Sequence, residues 1–100
     1  MTKKSEIPIK LEETVSKRRL YTPVKAGEQA EMTFSKTGET LLIIDHTSVP
    51  APYSGTGIGV RLVEAGIAYA RNYNRKIVPL CPYAAHQFRK HAEWHDVLNK

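Results

Sequence analysis

The apolar run Leu41-Leu42-Ile43-Ile44 leads, past Pro50 and Pro52, into the glycine-spaced segment Tyr53-Ser54-Gly55-Thr56-Gly57-Ile58-Gly59. From residue 56 to 73, apolar side chains then recur at helical spacing (Ile58, Leu62, Val63, Ile67, Ala70), with Arg61, Glu64, Arg71 and Asn72 falling elsewhere and Asn74 suited to the helix exit. Residues 76–80 read as a second short apolar strand. Strand, glycine turn, helix and strand in this order make a crossover unit, so a parallel strand pair is expected at the heart of the fold.

Glycines at alternate positions let the backbone reach positive φ and approach a ligand closely, and the helix that follows offers unpaired N–H groups to an anion. The segment is therefore either a phosphate-binding turn or a bend that only redirects the chain. Two phosphate loops are excluded by spacing. A P-loop needs Lys and then Ser or Thr after its last glycine, whereas Gly59 is followed by Val60 and Arg61. The dinucleotide fingerprint needs a sixth-position glycine, but Val60 or Leu62 stands there.

Upstream, residues 18–24 hold Leu20, Tyr21 and Val24 before Lys25-Ala26-Gly27, and residues 29–35 alternate Ala30, Met32 and Phe34 with polar neighbours. Both suit antiparallel strands with one wet face. Lys36-Thr37-Gly38-Glu39 is a hairpin signal into a third strand over 40–49, completing a meander. The continuous run inside that third strand predicts cover on both faces. Residues 1–17 read as a loosely held tail with a short edge strand at 7–11. Pro82 starts a second helix over 82–90, and residues 91–98 form a terminal helix or turn.

One cysteine in 100 residues excludes an internal disulfide and fits a reducing compartment, and the polar start lacks a signal core, so a cytoplasmic protein is expected. No apolar stretch approaches the roughly 20 residues that span a bilayer. The net charge of +5 is uneven: residues 1–50 carry 8 basic and 7 acidic side chains, residues 51–100 carry 7 and 3. That excess suits a phosphorylated ligand or nucleic acid equally, or simply a solvated surface. The charges on the N-terminal edge strand argue for a monomer.

Cys81 ends the last strand just before a helix, where the N-terminus favours the thiolate. It is either a reactive thiol or a small core side chain. Tyr83 either donates a proton to a leaving thiolate or anchors the helix. Asp45 and His46 face opposite sides by strand parity, so one of them looks into a cleft as a base, or His46 is a hydrogen-bonded strand end. His91 and His95 have i, i+4 spacing, yet no Glu or Cys completes a ligand set, so no metal is expected.

The order of Ile44-Asp45-His46-Thr47-Ser48-Val49, Gly55-Thr56-Gly57-Ile58-Gly59 with Leu62-Val63, and Val78-Pro79-Leu80-Cys81-Pro82-Tyr83 resembles small, minimal members of the GNAT superfamily of N-acetyltransferases. The resemblance implies a GNAT-like α+β mixed sheet, with an antiparallel meander followed by strand, glycine turn, helix, strand and helix, in a single acetyl-CoA-binding domain over 18–100. By resemblance, backbone groups of Ser54, Gly55, Thr56, Gly57, Ile58 and Gly59 hold the pyrophosphate, Thr47, Ser48 and Val49 flank the pantetheine arm, and the thioester points towards Cys81. Ser54 stands where the family usually has Arg or Gln, which shifts the phosphate contacts to backbone donors and a basic residue such as Arg61.

The implied activity is acetyl-CoA-dependent N-acetyl transfer to an unidentified amine, directly or through Cys81, with Tyr83 and His46 as further catalytic candidates. A non-catalytic module that binds CoA or acyl-CoA is the first alternative, and a small basic nucleic-acid-binding protein the second. No aromatic stacking pair, zinc pattern or recognition helix supports the latter.

Overall fold

The structure is a computed structural model that describes residues 9–14, 18–23, 28–53 and 57–99. One sheet holds five strands in chain order: β1 (Lys10–Glu13), β2 (Arg18–Pro23), β3 (Gln29–Thr37), β4 (Leu41–Ser48) and β5 (Lys76–Pro79). The first four form an antiparallel meander, and β5 lies parallel to β4. Helix α1 (Ile58–Asn72) crosses between β4 and β5, and α2 (Pro82–Lys90) follows β5. Single 3₁₀ segments occupy Ala51–Tyr53 and Ala92–Val97. This is the mixed α+β sheet with one parallel pair that the sequence predicts.

The edge strand expected over 7–11 lies at Lys10–Glu13, where Glu13 pairs with Arg18 and accepts a hydrogen bond from Tyr69 Oη of α1 at 3.2 Å. Residues 7 and 8, and the Lys25-Ala26-Gly27 turn, fall outside the described residues.

Alternation sorts the sheet into two faces. Leu20 and Thr22 of β2, Ala30, Met32 and Phe34 of β3, Leu42 and Ile44 of β4 and Ile77 of β5 are buried. Against them pack Leu62, Val63, Ile67 and Ala70 of α1, Ala84 and Phe88 of α2, and Trp94 and Val97 of the last 3₁₀ segment. Gly66 lets α1 come down onto the sheet: a Cβ there would stand 2.8 Å from Met32 Cε. The other face carries Arg19, Tyr21, Glu31, Thr33 and Ser35. Leu41 and Ile43 on that face are only half-buried, so β4 is covered on one side and not on both. Their cover comes from lateral neighbours, Thr37 beside Leu41 and Ser35 and Val78 beside Ile43.

Two local devices open the sheet where its parallel strands meet α1 and α2. Pro79 has no N–H to continue the ladder; the next two amides, Leu80 and Cys81, both donate to Ile44 O at 3.2 and 3.1 Å, and Pro82 turns the chain into α2. Pairing with β5 stops at Ile44, so β4 runs on to Ser48 beside β3 alone. The second device is a bulge. Phe34 pairs with Ile44 but Thr33 pairs with His46, which leaves Asp45 as the extra residue.

Candidate active site

A cavity of about 470 Å³ lies where β4 and β5 part, lined by Thr47, Val49, Tyr53, Gly57, Gly59, Val60, Tyr83 and Gln87. Its volume suits a small molecule or the arm of a larger one. One wall is the unpaired end of β4, where Thr47 sits opposite Met32 and so points to the buried face. The second wall is the first turn of α1. The third is α2, whose Tyr83 and Gln87 are one helical turn apart on the same side.

The glycines do different jobs. Gly57 caps α1 with φ +91°, a conformation that a side chain resists, and its carbonyl accepts the first helical bond from Arg61 N at 3.1 Å. Among the described residues no side chain caps this end of α1. Gly59 is helical, and its lack of Cβ serves Tyr83: a Cβ there would stand 2.6 Å from the phenol oxygen. Tyr83 thus lies across the first turn of α1, and the third glycine of the spaced turn makes room for a side chain. Ser54, Gly55 and Thr56, expected to hold the pyrophosphate, fall outside the described residues.

Cys81 is 4% exposed and sits behind Thr47, with its Sγ 3.5 Å from the Thr47 hydroxyl. Burial by itself would push its thiol up, but the Thr47 hydroxyl and backbone groups of Ala84, Tyr83 and Thr47 outweigh that and hold it below the ordinary value. Tyr83 moves the other way: burial, and after it the charge at Cys81, push the phenol above its ordinary value. A phenol held above its ordinary value beside a thiol held below its own sets a proton donor next to a candidate nucleophile.

The remaining expected residues divide. Val49 lines the cavity with Thr47, whereas Ser48 pairs with Glu31 and faces the opposite side of the sheet. Ile58, expected among the cofactor contacts, is buried in the core and does not line the cavity. Strand parity fails for Asp45 and His46 because of the bulge. Both are exposed; Asp45 accepts a hydrogen bond from Ser35 Oγ at 2.8 Å, and His46 lies beside Thr33 on the face away from the cavity. His91 Nδ1 and His95 Nε2 donate to the carbonyls of Gln87 and Phe88 at 2.9 and 2.8 Å, closing the end of α2, while Trp94 stacks on His91.

Tyr53, Val60 and Gln87 line the cavity without having been singled out in the sequence. Gln87 had a legible signal: it stands four residues after Tyr83 on a helix, so any cleft that meets one meets the other.

A parallel pair that parts beyond Ile44, the helix start at Gly57 and Tyr83 laid across Gly59 together form one cleft. Residues 19–97 match the sequence model of the GCN5-related N-acetyl-transferase family, and the chain belongs to that family. In structure it is similar to a GCN5-like N-acetyltransferase candidate from Staphylococcus aureus solved by NMR in solution. The two share 30% identity at a TM-score of 0.75, over 95% of this chain and 90% of that one. No curated protein matches the chain. Among the described residues no helix is long and apolar enough to cross a membrane.

Proposed function

We propose that the protein is an acetyl-CoA-dependent N-acetyltransferase that acetylates a primary amine directly, with Tyr83 as the proton donor to the departing sulfur. The observation that carries this reading is Tyr83 itself, seated on Gly59 in the cavity wall with its phenol held protonated. Acetyl-CoA supplies an acetyl group activated as a thioester, which passes to the amine nitrogen as the carbon–sulfur bond breaks.

The residues present suit such a carrier. The first turn of α1 offers uncapped N–H groups to phosphate oxygens, with Gly57 bringing the backbone close. Beyond Ile44 the free side of β4 offers main-chain partners to an extended arm, as an added strand would use them. Thr47 and Val49 flank that arm, and Val60 and Tyr53 exclude water from its apolar stretch. Tyr83 Oη holds a proton for the sulfur and recovers one from the incoming amine through solvent, so the protein ends the cycle unchanged.

A relay through Cys81 is a second reading, favoured by the depressed thiol. In it the Cys81 thiolate takes the acetyl group as the carbon–sulfur bond to CoA breaks, Tyr83 protonates the departing CoA thiolate, and the amine then displaces the Cys81 thiolate while its proton returns to Tyr83 through solvent. Direct transfer is the better supported, because Tyr83 lines the cavity and Cys81 lies behind Thr47. The cavity suits one small acceptor at its mouth, and the charges on the edge strand β1 suit a monomer.

Calorimetry with acetyl-CoA tests the carrier, and no heat at near-millimolar ligand would end the proposal. A panel of primary amines scored for acetylated product tests transfer: binding without product from any of them leaves a carrier-binding module. Mass spectrometry after exposure to acetyl-CoA separates the mechanisms, since the relay requires one added acetyl group that Cys81→Ser abolishes.

A further inference from the structure

Gln87 is a polar side chain only 6% exposed, and it lines the cavity. Its Oε1 is buried and has no hydrogen-bond partner among the described residues. The surroundings are otherwise well satisfied: the Gln87 main-chain carbonyl already accepts from His91 Nδ1, and the next carbonyl, that of Phe88, accepts from His95. A buried carbonyl oxygen without a donor weakens the free protein, and such orphans are rare enough to require a reason. A ligand that brings an N–H to this point removes the penalty and gains affinity by doing so.

We infer that Gln87 Oε1 is the built acceptor for an amide N–H of the carrier's pantetheine arm, which makes Gln87 a positioning residue for the thioester. The inference rests on the acetyl-CoA reading above. The amide is the fitting donor because it is uncharged, and a neutral carbonyl oxygen is matched to an uncharged N–H. Position agrees: Gln87 stands one helical turn beyond Tyr83 on α2, across the cavity from Thr47 and Val49. An arm held to the unpaired end of β4 on one side and to Gln87 on the other is fixed along its length. Its sulfur is then delivered at Tyr83.

The test compares Gln87→Leu, and Gln87→Met should the first fail to fold, with the wild-type chain in two measurements. The free variants are expected to melt at the same temperature or higher, because the orphan oxygen is gone. By calorimetry they should bind acetyl-CoA about tenfold more weakly, about 1.4 kcal/mol. They should bind adenosine 3′,5′-bisphosphate, which lacks the arm, as the wild type does. Equal weakening of both ligands marks a collapsed cavity and overturns the inference. Unchanged acetyl-CoA affinity also overturns it, and if the KM for the amine acceptor rises instead, Gln87 serves the acceptor. Wild-type protein that binds no acetyl-CoA defeats the functional proposal itself, a result distinct from any of these.

Discussion

Replacing Gly59 with alanine should disable the enzyme while leaving its fold intact. Gly59 is the second residue of α1 and has no positive φ, so alanine is the better helix former there by at most about 1 kcal/mol. The new methyl would stand 2.6 Å from Tyr83 Oη, 2.9 Å from Cζ and 3.2 Å from Cε2. An ordinary contact begins near 3.4 Å, so the phenol oxygen must retreat by about 0.8 Å. It is the far end of a side chain and rotates away at small cost, so the strain and the helix gain nearly cancel in stability. Catalysis is less forgiving, because displacing a proton donor by about 1 Å costs on the order of 100-fold in rate, or about 2.7 kcal/mol of barrier. Thiol release from acetyl-CoA in the presence of an accepted amine, run beside a thermal melt, reads both quantities. Adding Gly59→Ala to Tyr83→Phe should cost far less than adding it to wild type, since the donor is already lost. Full turnover by Gly59→Ala would refute the seating of the phenol on α1 as a catalytic requirement.

Tyr83→Phe should lower kcat by roughly 10²–10⁴-fold with little change in acetyl-CoA affinity by calorimetry, and the wild-type rate should fall only above the ordinary phenol value of 10.0, because burial raises the folded pKa and the acid must keep its proton. Alkylation of Cys81 by iodoacetamide should show a midpoint below 9.0, and Thr47→Val should move it up; as the folded pKa lies below the unfolded one, Cys81 makes stability rise with pH between the two values. Gly57→Ala meets no atom within 4 Å but must hold φ near +91°, so a melt should show a loss of about 1–2 kcal/mol. Phe88→Ala, from 2% exposure and an edge-on contact with Trp94, should lose about 3–5 kcal/mol in denaturant unfolding.

Periodicity carried most of the architecture because the elements obey it. Ile58, Leu62, Val63, Ile67 and Ala70 are all buried on α1, and Ala30, Met32 and Phe34 on β3, as their spacings require. Prolines and glycines marked the joints where backbone chemistry leaves few options: α2 spans Pro82–Lys90, and Asn74 takes the left-handed exit at φ +55°. What periodicity could not reveal was the bulge at Asp45, because one extra residue in β4 resets the alternation for everything after it. That single residue removed His46 from the cavity and gave Thr47 its place there. The run Leu41–Ile44 predicts cover on both faces yet has it on one, because an apolar run reflects lateral strand neighbours as well as covering helices. Gly59 illustrates a further limit: its role depends on Tyr83, twenty-four positions later in the chain, and local spacing cannot show that contact.

The bulge, the proline stop and the third glycine belong to one construction. Pro79 ends the parallel pairing at Ile44, and the bulge immediately after it rotates β4 so that Thr47 faces the opened gap. Thr47 there meets Cys81, the residue that the same proline stop delivers to the start of α2. Two residues further on, Tyr83 reaches across to α1 and lands where only glycine admits it. A cavity wall from each of three elements is thereby fixed by contacts among β4, α1 and α2 themselves. Deleting Asp45 should therefore remove the bulge without turning the strand end over: Thr47 then stands two residues after Ile44 in regular alternation, keeps Met32 opposite it and stays at the gap beside Cys81, so the alkylation midpoint of Cys81 should match the wild-type value. A midpoint raised as in Thr47→Val would refute this account of how β4 aims Thr47.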